Sequence, residues 1–152
     1  MSGADFEKLD VYRAAIEFVV TADALVERLP AGRAYLVDQL RRAATSIVLN
    51  IAEGSGEYSR PDKARFYRMA RRSGYECLAV LDVLAAVRIT DATELRNGRT
   101  LLDRIGAMLT KMITSTERST PGFVRETEPE DSDSDSGAAG SDSDSANTSP
   151  GA

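Results

Sequence analysis

A chain of 152 residues is the length of one domain, and its formal charge of −5 is unevenly spread along it. Residues 1–120 carry 18 Lys and Arg against 16 Asp and Glu, a net of +2, while beyond them Arg125 faces eight acids, a net of −7. With no histidine and a single cysteine, Ser-His and Cys-His nucleophiles, the Glu-x-x-His metal centres of helix bundles and any internal disulfide are excluded.

Four helical segments account for residues 1–120, and no strand pattern competes with them. The first spans about residues 9–29 and stops at Pro30-Ala-Gly32. At about 100° per residue its apolar side chains form two arcs, one of Leu9, Tyr12, Ile16, Val19 and Val20, the other of Val11, Phe18, Ala22, Leu25 and Leu29. One bundle core absorbs one arc, so the other is expected to be covered by self-association.

The second helix spans about residues 34–53, with Leu36, Leu40, Ala43, Ala44, Ile47, Ile51 and Gly54 on one stripe. Gln39, Arg42, Ser46, Asn50 and Glu53 recur at the same spacing on a neighbouring stripe, an arrangement that a simple bundle helix does not need. Gly54-Ser-Gly56 is expected to end this helix in a left-handed cap.

Ser59-Arg-Pro-Asp62 opens the third helix, with Ser59 as cap, proline in the first turn and Asp62 three residues on, and the helix reaches about Val87. Its expected core arc is Phe66, Met69, Ala70, Ser73, Cys77, Val80, Leu81 and Leu84. Almost opposite stand Arg65, Arg68 and Arg72, flanked by Arg71 and Lys63 and preceded by Arg60, the best basic patch of the chain. Aligned cations of this kind can track phosphates in a sequence-tolerant, salt-sensitive way. Glu76 lies one turn after Arg72, close enough for a helical ion pair. Arg41, Arg42, Asn50, Glu53, Ser73 and Glu76 can join the second and third helices in a partly buried network, since semi-buried charges must be paired. Two carboxylates without histidine, Glu53 and Glu76, give little basis for acid–base catalysis, and a non-enzyme without metal or cofactor is expected.

Thr90 or Asp91 opens the fourth helix, Asp91-Ala-Thr-Glu94 reads as a capping box, and Leu95, Leu102, Ile105, Leu109, Met112 and Ile113 carry it to about residue 115. Short loops make consecutive helices antiparallel, giving an all-α, up-down-up-down four-helix bundle. Residues 121–152, rich in Asp and Ser, cannot bury enough apolar surface to offset chain entropy and are expected to be disordered. Such a tail solvates the chain, screens a basic surface, mimics nucleic acid or accepts phosphates on its serines. The lone thiol, the lack of a leader and the absence of any apolar run near the roughly 20 residues of a membrane span suggest a cytoplasmic protein with no membrane partner.

The blocks Phe6-Glu-Lys-Leu-Asp-Val-Tyr12, Gln39-Leu-Arg-Arg-Ala-Ala44 and Asn50-Ile-Ala-Glu-Gly54, with Leu29-Pro30, Ser46-Ile47, Ser59, Phe66, Ala70, Ser73 and Glu76, resemble the family of four-helix bundle proteins. That family was first associated with ribosomal-RNA intervening sequences and includes the accessory variability determinant of diversity-generating retroelements. The resemblance covers about residues 6–113 and implies a homopentamer of bundles that is not an enzyme. In the retroelement members it further implies binding of nucleic acid and a reverse transcriptase through a basic surface. Two positions depart from the usual pattern: Glu57 stands where an arginine is expected, weakening a basic loop, and Arg72 stands where glycine is usual, strengthening the basic stripe. The alternative is a structural or protein-interaction oligomer whose arginines are solvated.

Overall fold

A computed structural model describes residues 5–88 and 90–118. Four helices make up nearly all of it: α1 (Asp10–Glu27), α2 (Ala34–Gly56), α3 (Arg60–Ala86) and α4 (Ala92–Arg118), preceded by a 3-10 turn at Asp5–Lys8, with no strand among the described residues. The chain is all-α as its periodicity implies. The expected disordered tail, residues 121–152, lies outside the described residues.

The strongest local signals act where they were expected. Ser59 Oγ accepts the Asp62 amide at 3.4 Å at the start of α3, with Pro61 in the first turn, and Asp91 Oδ1 accepts the Thr93 amide at 2.6 Å at the start of α4. Both expected capping-box carboxylates have other partners: Asp62 lies 3.8 Å from Arg65 Nε, and Glu94 pairs with Arg28.

The end of α2 corrects the sequence reading. The helix runs through Gly56, and Glu57 leaves it in extended backbone at φ −77° and ψ 136°. Gly54 is not a left-handed cap but a point of close approach, since a Cβ there would lie 2.8 Å from Tyr67 Cε1 and 3.0 Å from Phe66 Cβ. The left-handed glycine is Gly32, at φ 91° between α1 and α2. Arg88 adopts φ 54° just after α3, a conformation that costs a non-glycine residue about 1 kcal/mol.

Cross-helix pairs give the direction of each helix. Lys63 meets Ser55 and Ser73 meets Ser46, so α2 and α3 are antiparallel; Arg68 with Glu117 and Asp82 with Arg99 do the same for α3 and α4. Arg28 with Glu94, and Phe18 near Gly98, set α1 against α4. Each helix therefore packs on two neighbours in a ring. Phe18, Leu40, Ile47, Ile51, Leu84, Ile105 and Leu109 are fully buried at its centre, each worth about 1.5–3 kcal/mol of transfer free energy.

This core takes one arc of α1 and part of the other. Val11, Phe18, Ala22 and Leu25 are buried, and Leu9, Tyr12 and Val19 of the second arc pack half-buried against the core, leaving Ile16 41% and Val20 64% exposed. The inward arc of α3 also differs from expectation. Met69 is 40% exposed and Phe66 half-buried, while Ala64 and Tyr67 are buried in their place. Tyr67 is drawn in against α2, where Gly54 leaves room for its ring, and Met69 is left at the edge.

Candidate functional site

Two polar arrangements occupy different sides of α3. On the side facing α2, Ser46 and Ser73 hydroxyls lie 2.8 Å apart, Asn50 Nδ2 donates to Ser46 O at 2.9 Å and lies 3.1 Å from Ser46 Oγ, and Ser73 Oγ donates to Met69 O at 3.2 Å. This seam contains Asn50 and Ser73 of the expected network, with Ser46 as the link between them. Its other expected members are elsewhere. Arg41 Nε donates to Asp23 on α1 at 2.9 Å, and Gln39, Arg42, Glu53 and Glu76 are exposed without an ion-pair partner among the described residues. The Arg72 and Glu76 side chains form no ion pair. A backbone of helical spacing brought these charges onto one face, but of the stripe only the Ser46 hydroxyl reaches across to α3, where it meets Ser73.

On the outward side, the basic patch is where its spacing placed it. Arg65, Arg68 and Arg72 are exposed, and with Met69, Arg71 and Tyr75 they line a shallow depression of about 400 Å³. Their electrostatic surroundings differ. Arg65 lies near Asp62 and over the Phe66 ring at 4.9 Å, Arg68 pairs with Glu117, and Arg71 Nη1 donates to Thr110 Oγ1 at 3.3 Å. Exposed pairs of this kind are worth at most about 1 kcal/mol, so they tether the arginines without neutralising the face. Lys63 Nζ donates to Ser55 O at 3.0 Å near the C-terminal end of α2, where a cation complements the last carbonyls. Arg60 is exposed at the first turn of α3. Arg72 has no ion-pair partner among the described residues.

The structure adds cations that sequence reasoning passed over. Arg104, Lys111 and Arg118 are exposed on α4 at seven-residue intervals and make no ion pair among the described residues. Their heptad spacing on a helix whose core stripe is Leu95, Leu102, Ile105, Leu109 and Ile113 was the available signal. Arg71 and Lys111 line the same groove between α3 and α4, whereas Arg104 lines the groove between α1 and α4 with Glu17 and Glu94.

The remaining reactive group is enclosed. Cys77 is buried, and burial, with a smaller contribution from the Glu76 charge, pushes its thiol up to about 12. Burial likewise raises the Tyr67 phenol. Among the described residues no group of three His, Cys, Asp or Glu side chains is placed to hold a metal ion, and no helix is long and apolar enough to cross a membrane.

A ring of four antiparallel helices, with a hydroxyl and amide seam on one side of α3 and arginines on the other, defines an all-α helical bundle protein. The family described as 23S rRNA-intervening sequence protein matches residues 7–111, and the chain belongs to that family. No curated protein matches it in sequence.

Proposed function

We propose that this chain is a non-catalytic accessory protein that assembles into a homo-oligomer, a pentamer, and binds nucleic acid, a reverse transcriptase or both through the outer face of α3 and α4, as accessory proteins of diversity-generating retroelements do. The observation that carries the reading is the set of exposed cations, Arg72, Arg104, Lys111 and Arg118, that have no carboxylate partner among the described residues. Arg60, Lys63, Arg65, Arg68 and Arg71 extend this surface along the first half of α3. Cations held on rigid helices at turn-spaced intervals suit a phosphate backbone, whose counterions they release on binding. Assembly is supported by the α1 arc of Ile16 and Val20 and by Leu49 on α2, which is 57% exposed, because a second copy would remove that apolar surface from water. The exposed Gln39, Arg42, Glu53 and Glu76 then act at subunit contacts, and the working compartment is the cytoplasm.

A second reading, an oligomer that binds protein alone, is favoured by the engagement of Arg65, Arg68 and Arg71 with Asp62, Glu117 and Thr110. Titration with single-stranded RNA at several salt concentrations separates the two. It is done on the full chain and on a full chain whose tail acids are changed to Asn and Gln. The first reading expects log K to fall with log salt by about 0.7 per phosphate neutralised, and Arg72→Glu with Lys111→Glu to lower that slope by about one to two. Binding that is absent from both chains at low salt leaves the second reading. Light scattering tests assembly, and a monomer at micromolar concentration would remove it.

A further inference from the structure

The groove between α3 and α4 has an unusual floor. Gly74 and Gly106 face it from the two helices, and a Cβ added at either would meet nothing within 4 Å, so the cleft of about 460 Å³ is open down to backbone. Leu78 and Ile105 supply an apolar lining, Arg71 and Lys111 stand at its edge, and Asp103 is its one carboxylate. An apolar cleft with cations beside it fits a segment that pairs a large apolar side chain with a run of acids.

The chain contains one such segment, and it begins where α4 ends. Beyond residue 120 the only large apolar side chains are the adjacent Phe123 and Val124, and past a single cation, Arg125, come Glu126, Glu128, Glu130, Asp131, Asp133 and Asp135. From Arg118 to Phe123 five residues span up to about 17 Å, and Thr110 lies about 12 Å and Gly106 about 18 Å back along α4, so a reversal of the chain brings Phe123 to the Thr110 end of the groove. The acids that follow then lie over Lys111, Arg71 and Arg72, and the pairing of Arg68 with Glu117 shows that the start of the α3 stripe adjoins the end of α4.

We propose that residues 121–135 dock in the α3–α4 groove, with Phe123 at its Thr110 end and the acids on its cations, so that the tail is an intramolecular competitor for an anionic partner of this face. The competition rests on the nucleic-acid reading above; the docking does not. Tethering supplies the tail at an effective concentration of about millimolar, enough to hold a weak contact closed. A nucleic acid must displace it, which suppresses indiscriminate binding by a face rich in arginine.

The test uses the full chain with Phe123 replaced by the photo-crosslinker p-benzoylphenylalanine, and mass spectrometry of the irradiated product. Crosslinks are expected in residues 71–78 and 102–111 and are expected to fall severalfold when Arg71→Glu and Lys111→Glu are introduced. Crosslinks elsewhere, or none, overturn the docking. In a second arm, the full chain carrying Phe123→Ala with Glu126→Gln, Glu128→Gln and Glu130→Gln is expected to bind a single-stranded RNA of about 30 nucleotides roughly tenfold more tightly than the unaltered chain. Equal, measurable affinity of the two chains overturns the competition. Groove crosslinks with no RNA binding by either chain leave the docking standing and remove the nucleic-acid function.

Discussion

The α2–α3 contact and the outer face of α3 both carry polar residues at turn spacing and put them to opposite uses. Toward α2, Ser46, Asn50 and Ser73 satisfy one another within the chain, and Ser73 is buried in the process. Toward solvent, Arg65, Arg68 and Arg72 stay exposed, and only part of their charge meets a carboxylate. Side-chain length accounts for much of this. A hydroxyl or an amide can close a hydrogen bond across two helices in contact, whereas a guanidinium placed there would need a buried carboxylate, and none is in reach. The seam is thus a feature of stability and helix register, whereas the outer face leaves its charge open to solvent.

Substitutions can break that division. Among the substitutions, the largest loss is expected at the glycine contact between α2 and α3: Gly54→Val forces side-chain atoms into Tyr67 and should cost about 1–3 kcal/mol in urea unfolding. An unchanged midpoint would show that the helices separate without penalty. Next comes pH. Because the folded Cys77 thiol titrates at about 12, above its ordinary value of 9.0, the folded state holds that proton longer than the unfolded chain does. Stability is therefore full below about pH 9 and falls as pH rises toward 12, by up to about 1.4 kcal/mol per unit. Cys77→Ala should remove that part of the slope, although its smaller side chain lowers stability at every pH.

Ser73→Ala leaves the Ser46 hydroxyl with Asn50 as its partner but without its bond across to α3 and should cost about 1 kcal/mol, with the Ser46→Ala, Ser73→Ala pair costing less than the sum of the single changes. Strict additivity would separate the two hydroxyls energetically. The smallest effect belongs to the outer face. Arg68→Ala, which removes the exposed Glu117 pair, should change the free energy of unfolding by less than about 1 kcal/mol. A larger loss would mean that the arginine stripe is structural too, and the contrast between the two sides would collapse.

Some of this was legible from residue order. The four helices, the Ser59 and Asp91 caps and the outward arginine stripe all follow from rules that act within one or two turns, and each is in place. The buried Ser73 and its bond to Ser46 follow less directly, because they need two helices brought together. Gly54 was misread as a cap, since glycine tolerates both a left-handed turn and a close approach, and only the neighbouring Tyr67 distinguishes them. The α4 cations were overlooked because three residues seven apart look sparse until the helix is seen to present them together.

Sequence by itself determined the helical content, the helix starts and the contrast between a near-neutral body and an acidic tail, because periodicity, capping and composition are local or additive properties. Tertiary structure alone decided which arc of α1 is buried, which α3 side chains enter the core and which arginines meet a carboxylate. Each of these depends on the side chain that another helix offers across the contact, and the pattern of one helix does not contain it.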